Sequence, residues 1–171
     1  MKSADYSMRT RLEKMRSYLL LIFISLAGVS FTSEAQQTPI KFHTLNNSNG
    51  LSQNSVYSTV QDRHGFIWTA TEFGLNRWDG YSFKVFLHDP NDKNSLSNNF
   101  INCLFTDKNG TVWVGTNGSG ISKFNSASQS FTNYDDKSDA THYFENNSIW
   151  SIAEDAKGNL WIGTFGGGLK H

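Results

Sequence analysis

At 171 residues the chain is long enough to bury one ordinary domain core. Aromatic residues at 14% and charged residues at 18%, with only 2 prolines, exclude a disordered chain and lean towards β structure. The formal net charge is +0, but Lys2, Arg9, Arg11, Lys14 and Arg16 all precede residue 17. The body that follows is nearly neutral, so charge gives no ground for nucleic-acid contact or for an anionic membrane.

In chain order, the first predicted element is a leader. Tyr18 to Val29 (YLLLIFISLAGV) is an apolar run behind basic residues, followed by Ser33-Glu34-Ala35-Gln36 with small residues three and one positions before a cut after Ala35. That pattern predicts a signal peptide over residues 1–35 and a mature chain starting near Gln36. The run is short of the about 20 apolar residues of a membrane span, and no cysteine follows it to take a lipid. Translation has two candidate starts, Met1 and Met15, and the second gives the more compact leader.

After a lead-in over residues 36–50, an internal repeat begins. Asp62-Arg63-His64-Gly65-Phe66-Ile67-Trp68-Thr69-Ala70-Thr71 recurs as Asp107 to Thr116, 45 residues on, and as Asp155 to Thr164, a further 48 on. Leu51-Ser52-Gln53-Asn54 aligns with Leu96-Ser97-Asn98-Asn99 and with Phe144-Glu145-Asn146-Asn147. First strands are predicted at Val56–Val60, Ile101–Phe105 and Ile149–Ala153, and second strands at Ile67–Ala70, Val112–Gly115 and Leu160–Gly163. Between them, Asp62, Asp107 and Asp155 can bond nearby backbone N–H groups, while Gly65, Gly110 and Gly158 can take positive φ. Trp68, Trp113 and Trp161 put a large apolar face at one depth in each unit. Third strands begin at Leu75, Ile121 and Leu169, and fourth strands lie at Ser82–Phe86 and Ser130–Tyr134.

Four short antiparallel strands in about 45 residues describe a propeller blade. The expected fold is all-β, a partial β-propeller: one four-stranded blade over residues 51–95, a second over 96–143, and the first half of a third over 144–171. Closure takes about 4–8 blades. Truncation of a longer chain is therefore expected, or assembly with blades from another chain. Cys103 aligns with Ser58 and Ser151 and reads as a small packed residue, with nothing beside it to make a reactive thiol.

The motifs Gly50-Leu51-Ser52-x-Asn54, Asp107-x-x-Gly110-x-Val112-Trp113-Val114-Gly115-Thr116 and Gly167-Gly168-Leu169, with the linker NDKNSLSNN at 91–99, resemble the two-component regulator propeller repeat. That repeat builds the sensor domains of bacterial hybrid two-component systems. Ala70 departs from its usual Gly, and Glu72-Phe73 shortens the first turn. The resemblance implies a periplasmic array sensing a ligand, often a glycan fragment, with a further β domain, a transmembrane helix and a histidine kinase beyond it. It also implies partners: an oligosaccharide, the remaining blades, and a homodimer contact through regions outside this segment. No cofactor or metal is expected, and no catalysis by this segment itself.

One alternative is a secreted carbohydrate-active propeller enzyme, because Thr106-Asp107-x-x-Gly110-Thr111-x-Trp113 is close to the Asp-box of sialidase-like propellers. That motif has one residue between Asp and Gly where this chain has two, and a carboxylate present in every blade belongs to the blade. Catalytic carboxylates should break the repeat and pair, whereas Glu72 and Glu145 have nothing pairing them. His43, His64, His88, His142 and His171 show no metal-ligand spacing, and Gly166-Gly167-Gly168 matches the Gly118-Ser119-Gly120 turn rather than a phosphate loop. A scaffold assembling with partner chains is a third reading. The Asp-x-x-Gly turns are uniform and the second-to-third turns vary, so recognition is expected at Glu72, Phe73, Asn117, Ser119 and Phe165. The gene beyond His171 separates these readings: a transmembrane helix and kinase sequence support the sensor, and hydrolase carboxylates in later blades overturn it.

Overall fold

The computed structural model describes residues 11–20, 40–134 and 148–171. The remainder of the leader with its cut site, the segment Phe144–Asn147, Glu145 and His142-Tyr143 lie outside the described residues. The chain divides into two units, Met1–Phe42 and His43–His171. In the first, residues 11–20 form a helix. Among the described residues no helix is long and apolar enough to cross a membrane.

Among its described residues the second unit carries eleven strands in three antiparallel sheets. The first sheet is β1 (Val56–Gln61), β2 (Ile67–Thr71), β3 (Gly74–Trp78) and β4 (Phe83–Phe86), in that spatial order. The second repeats it with β5 (Ile101–Thr106), β6 (Val112–Thr116), β7 (Ile121–Asn125) and β8 (Ser130–Tyr134). The third holds β9 (Ile149–Glu154), β10 (Leu160–Thr164) and β11 (Gly168–Lys170). Its third strand stands where the sequence expects one to begin, at Leu169. Gly166 and Gly168, at φ 79° and 78°, take the left-handed turn that lets β11 fold back on β10.

One carboxylate organises each blade. Asp62 Oδ1 accepts the backbone N–H groups of His64 and Phe66 at 2.9 and 3.1 Å, and Oδ2 accepts the Trp68 indole N–H at 2.8 Å. Asp107 does the same for Asn109, Thr111 and the Trp113 indole at 2.9 Å each. In the third blade Asp155 takes Lys157 and Asn159 at 2.9 Å and the Trp161 indole at 3.3 Å, while the Asn159 amide shares Oδ2. The motif Asp thus satisfies the turn's backbone donors and fixes the ring that packs the sheet. Burying an indole of about 200 Å² contributes on the order of 5 kcal/mol at about 25 cal/mol per Å². A ring so placed needs a partner for its N–H, and the carboxylate supplies it.

Sheets then stack face to face. Trp68, Leu75 and Phe86 of the first blade pack with Leu96, Ile101, Val112, Val114, Phe124 and Phe131 in one core. Ile121, Ile149 and Ile162, with Trp113 and Cys103, form the next. The motif tryptophan tracks this stacking: Trp68 is fully buried under the second blade, and Trp161, on the outer face of the third, is 37% exposed. Close approach also explains the small pairs Ser58–Ala70, Cys103–Gly115 and Ser151–Gly163, which face each other across the first and second strands. A Cβ on Gly115 would lie 2.5 Å from Cys103 Sγ and 2.8 Å from Ile149 Cγ2. Burial pushes the Cys103 thiol up to about 11, outweighing a backbone hydrogen bond at Gly115, so the thiolate is not formed near neutral pH.

Burial raises the Asp107 carboxyl, but hydrogen bonds from Trp113, Thr111 and Asn109 outweigh it and hold the group below the ordinary carboxylate value. A depressed folded-state pKa gives stability that is fully present above the unfolded value of about 3.9 and is lost as pH falls through the folded value. Acid unfolding followed by tryptophan fluorescence should show this loss below about pH 4. Asp107→Ala should lower the urea midpoint at neutral pH by the equivalent of about 1–3 kcal/mol and flatten the acid limb. An unchanged acid limb in the variant contradicts the clamp.

Candidate functional site

An up-and-down blade places its first-to-second and third-to-fourth turns on one face and its second-to-third turns on the other. The second face carries a device not evident in the repeat consensus. In the first strand pair Val56 pairs with Thr71 and Ser58 with Ala70, leaving Tyr57 as an extra residue. Ile101–Thr116 with Cys103–Gly115 leaves Asn102, and Ile149–Thr164 with Ser151–Gly163 leaves Trp150. Each blade therefore has a β-bulge at one phase, and a bulge re-aims the side chain it frees. Here the freed residue sits beside the position that follows the motif threonine.

That neighbour is Glu72, Asn117 or Phe165. The Tyr57 hydroxyl donates to Glu72 Oε1, and the Trp150 and Phe165 rings stack with centroids 5.7 Å apart and planes 25° apart. In the middle blade Asn102 reaches across instead, its amide donating to Ile149 O at 3.0 Å. Asn117 Oδ1 accepts the Ser148 hydroxyl at 2.8 Å. Tyr57 meets Phe100 at 5.4 Å, Asn117 N–H donates to Phe100 O at 2.9 Å, and Phe165 N–H donates to Ser148 O at 2.9 Å. A continuous arc of contacts, Glu72–Tyr57–Phe100–Asn117–Ser148–Phe165–Trp150, crosses the three blades.

The turns beneath the arc are rigid. Thr71, Thr116 and Thr164 each donate their hydroxyl to the carbonyl of Gly74, Gly120 or Gly168, at 2.8, 2.8 and 2.9 Å. Asn98 steadies the middle turn, donating to Asn117 O at 3.0 Å and to Ser119 Oγ at 3.1 Å. Of the residues expected at this face, Glu72, Asn117 and Phe165 thus lie in the arc, and Ser119 is engaged at its side. Phe73 presents a ring that is 55% exposed, with its N–H on Thr71 Oγ1 at 3.1 Å. Sequence reasoning omitted Tyr57, Phe100 and Trp150. Their signal was present, since Tyr57, Asn102 and Trp150 differ while their neighbours Val/Ile and Ser/Cys repeat.

The arc combines aromatic rings with amide, hydroxyl and carboxylate groups. Trp150 and Phe165 stack on each other beside the Asn117 amide and the Ser148 hydroxyl. Glu72 Oε1 accepts the Tyr57 hydroxyl. Among the described residues there is no cluster of three or more metal-ligating side chains. The hydrogen bond to Glu72 chiefly, with burial and the carboxylate's charge behind it, raises the Tyr57 phenol above its ordinary value.

Comparison with known proteins fits this geometry. The model of the two component regulator propeller family matches residues 50–73, 95–118 and 143–166. A stretch of 72 residues, 42% of this chain, is 34% identical to Histidine kinase P4 of Formosa agariphila and spans 5% of it. The extracellular domain of one hybrid two-component system of B. thetaiotaomicron superposes with a TM-score of 0.66 at 28% identity, over 75% of this chain and 20% of that one. That of a second system superposes at 0.55 and 29%, over 68% and 16%. The chain therefore spans about a fifth of these extracellular domains or less. A surface component of the type-IX secretion system of Porphyromonas gingivalis, 18% identical with a TM-score of 0.52, shares the fold.

Tyrosine ring carbons followed by NMR during an alkaline titration should show Tyr57 ionising above the free-tyrosine value of about 10. In Glu72→Ala its midpoint should fall back to that value. A Tyr57 midpoint indifferent to Glu72 contradicts the contact.

Proposed function

Because this chain belongs to the two-component regulator propeller repeat family, we propose that it forms the first blades of a periplasmic ligand-sensing propeller in a hybrid two-component phosphorelay receptor. The leader exports it, further blades of the same receptor complete the propeller, and a kinase elsewhere in that receptor carries the output. This segment binds and does not catalyse. Its ligand is an oligosaccharide, received on the arc from Glu72 to Trp150.

The observation that supports this reading is the stack of Trp150 on Phe165, set beside Asn117 and Ser148 on the face where the three blades differ. C–H groups of a pyranose stack on such an aromatic face while amides and hydroxyls take the sugar hydroxyls. Tyr57 and Glu72 offer a second polar edge at the other end of the arc.

A panel of neutral oligosaccharides should be titrated calorimetrically against the whole extracellular region of the receptor. Trp150→Ala and Phe165→Ala should each weaken the best binder about tenfold or more, and Phe73→Ala should have a smaller effect. Full affinity in both platform variants, with their melting temperatures unchanged, places the ligand elsewhere.

A further inference from the structure

The opposite face carries a different feature. Between the first-to-second turn of blade 1 and the third-to-fourth turn of blade 2 lies a cleft of about 360 Å³, lined among others by Arg63, His64, Phe66, Arg77 and Gln129. Arg77 lies over the Phe66 ring at 4.6 Å and donates from Nη1 to Gln129 Oε1 at 2.9 Å, while its buried Nε has no hydrogen-bond partner. Lys84 pairs directly across the strands with Arg77, and its Nζ reaches the same Gln129 oxygen at 3.3 Å. Like charges opposed across a sheet repel, and here one neutral amide oxygen serves both. Gln129 does so at φ 55°, the one positive value outside glycine among the described residues. Left-handed non-glycine backbone concentrates at functional sites.

The next cleft provides an internal control. Lys108 occupies the position of Arg63 one blade on, and it pairs with Glu154 of the following blade at 3.6 Å, the one ion pair among the described residues. The residue equivalent to Glu154 beside Arg63 is Thr106, whose hydroxyl donates to Gln61 O at 3.1 Å. Asp62 does not substitute for it, since its carboxylate is held by the turn N–H groups and by Trp68. Arg63 lies across Gly110, where a Cβ would meet its stem at 2.6 Å, and its Nε donates to His64 Nε2 at 3.1 Å. The first cleft thus holds Arg63 and Arg77, with Lys84 reaching the same Gln129 oxygen, and its lining carboxylate, Asp62, is already bonded by the turn and the indole, where the next cleft adds Glu154.

We propose that this cleft is a second binding site, taking an oxyanion group of the sulfate or carboxylate class between Arg63, Arg77 and Lys84. The anion replaces Gln129 Oε1 as the shared acceptor and relieves the Arg77–Lys84 opposition. Guanidinium forks suit planar or tetrahedral oxyanions through paired N–H donors. The site does not depend on the aromatic arc or on the sugar reading.

The test is titration of the chain with sodium sulfate, sodium glucuronate and sodium phosphate at matched ionic strength, following the arginine Nε–H resonances by NMR. Sulfate or glucuronate should shift Arg77 and Arg63 saturably, with a Kd of about 1 mM. The stronger of the two identifies the group, and a preference for phosphate over both overturns the assignment of class. Thr106→Glu supplies the counterion found in the next cleft without touching a proposed ligand residue, and should weaken binding about tenfold. Lys84→Gln should do likewise, whereas Trp150→Ala should leave the response unchanged. A response that does not saturate, or one that Thr106→Glu and Lys84→Gln both leave intact, overturns the proposal.

Discussion

The bond from each motif carboxylate to the indole six residues later is the constraint on which the rest of the structure depends. A tryptophan offers more apolar area than any other side chain, but its N–H cannot be buried alone without cost. In this chain the same aspartate that closes the turn between the first two strands accepts that N–H. Turn geometry and ring position are therefore one decision rather than two. Once the ring is fixed, the facing sheet finds a flat apolar wall at a set depth, and blade stacks on blade.

This arrangement divides labour between the two faces. On one, turns are held by carboxylates already saturated with hydrogen bonds, so what varies there is the pair of residues between Asp and Gly: Arg63-His64, Lys108-Asn109 and Ala156-Lys157. On the other, the threonine-to-glycine bond holds the hairpin with a single hydroxyl, and the residues above it are released from structural duty. Electrostatic diversity collects on the first face and aromatic diversity on the second.

Most of the fold was legible in the sequence because its signals are local. Asp-x-x-Gly closes a turn within five residues, strand runs are β-branched, and three copies fix the phase. Even the short strand at Gly168–Lys170 was legible, because Gly168-Leu169 repeats Gly74-Leu75 and Gly120-Ile121. The recognition face was legible only in part. Glu72, Asn117 and Phe165 follow the motif threonine and stand out as breaks in the repeat. Tyr57 and Trp150 lie inside strands, where alternation assigns a residue to one side of the sheet, and a bulge breaks that alternation without any composition signal of its own. The cationic cleft was hidden for another reason. Its cations come from residues 63, 77 and 84 and its bridging amide from 129, and only the packing of two blades brings them together.

The bulge has an evolutionary corollary. A residue that belongs to no cross-strand pair is released from the register that locks the small pairs beside it, so positions 57, 102 and 150 answer to the surface above them and not to the strand opposite. Each blade then contributes one variable letter, at the same place in the repeat, to one shared surface. Tyr, Asn and Trp spell one such word, and a duplicated blade would lengthen the word before selection changed its meaning.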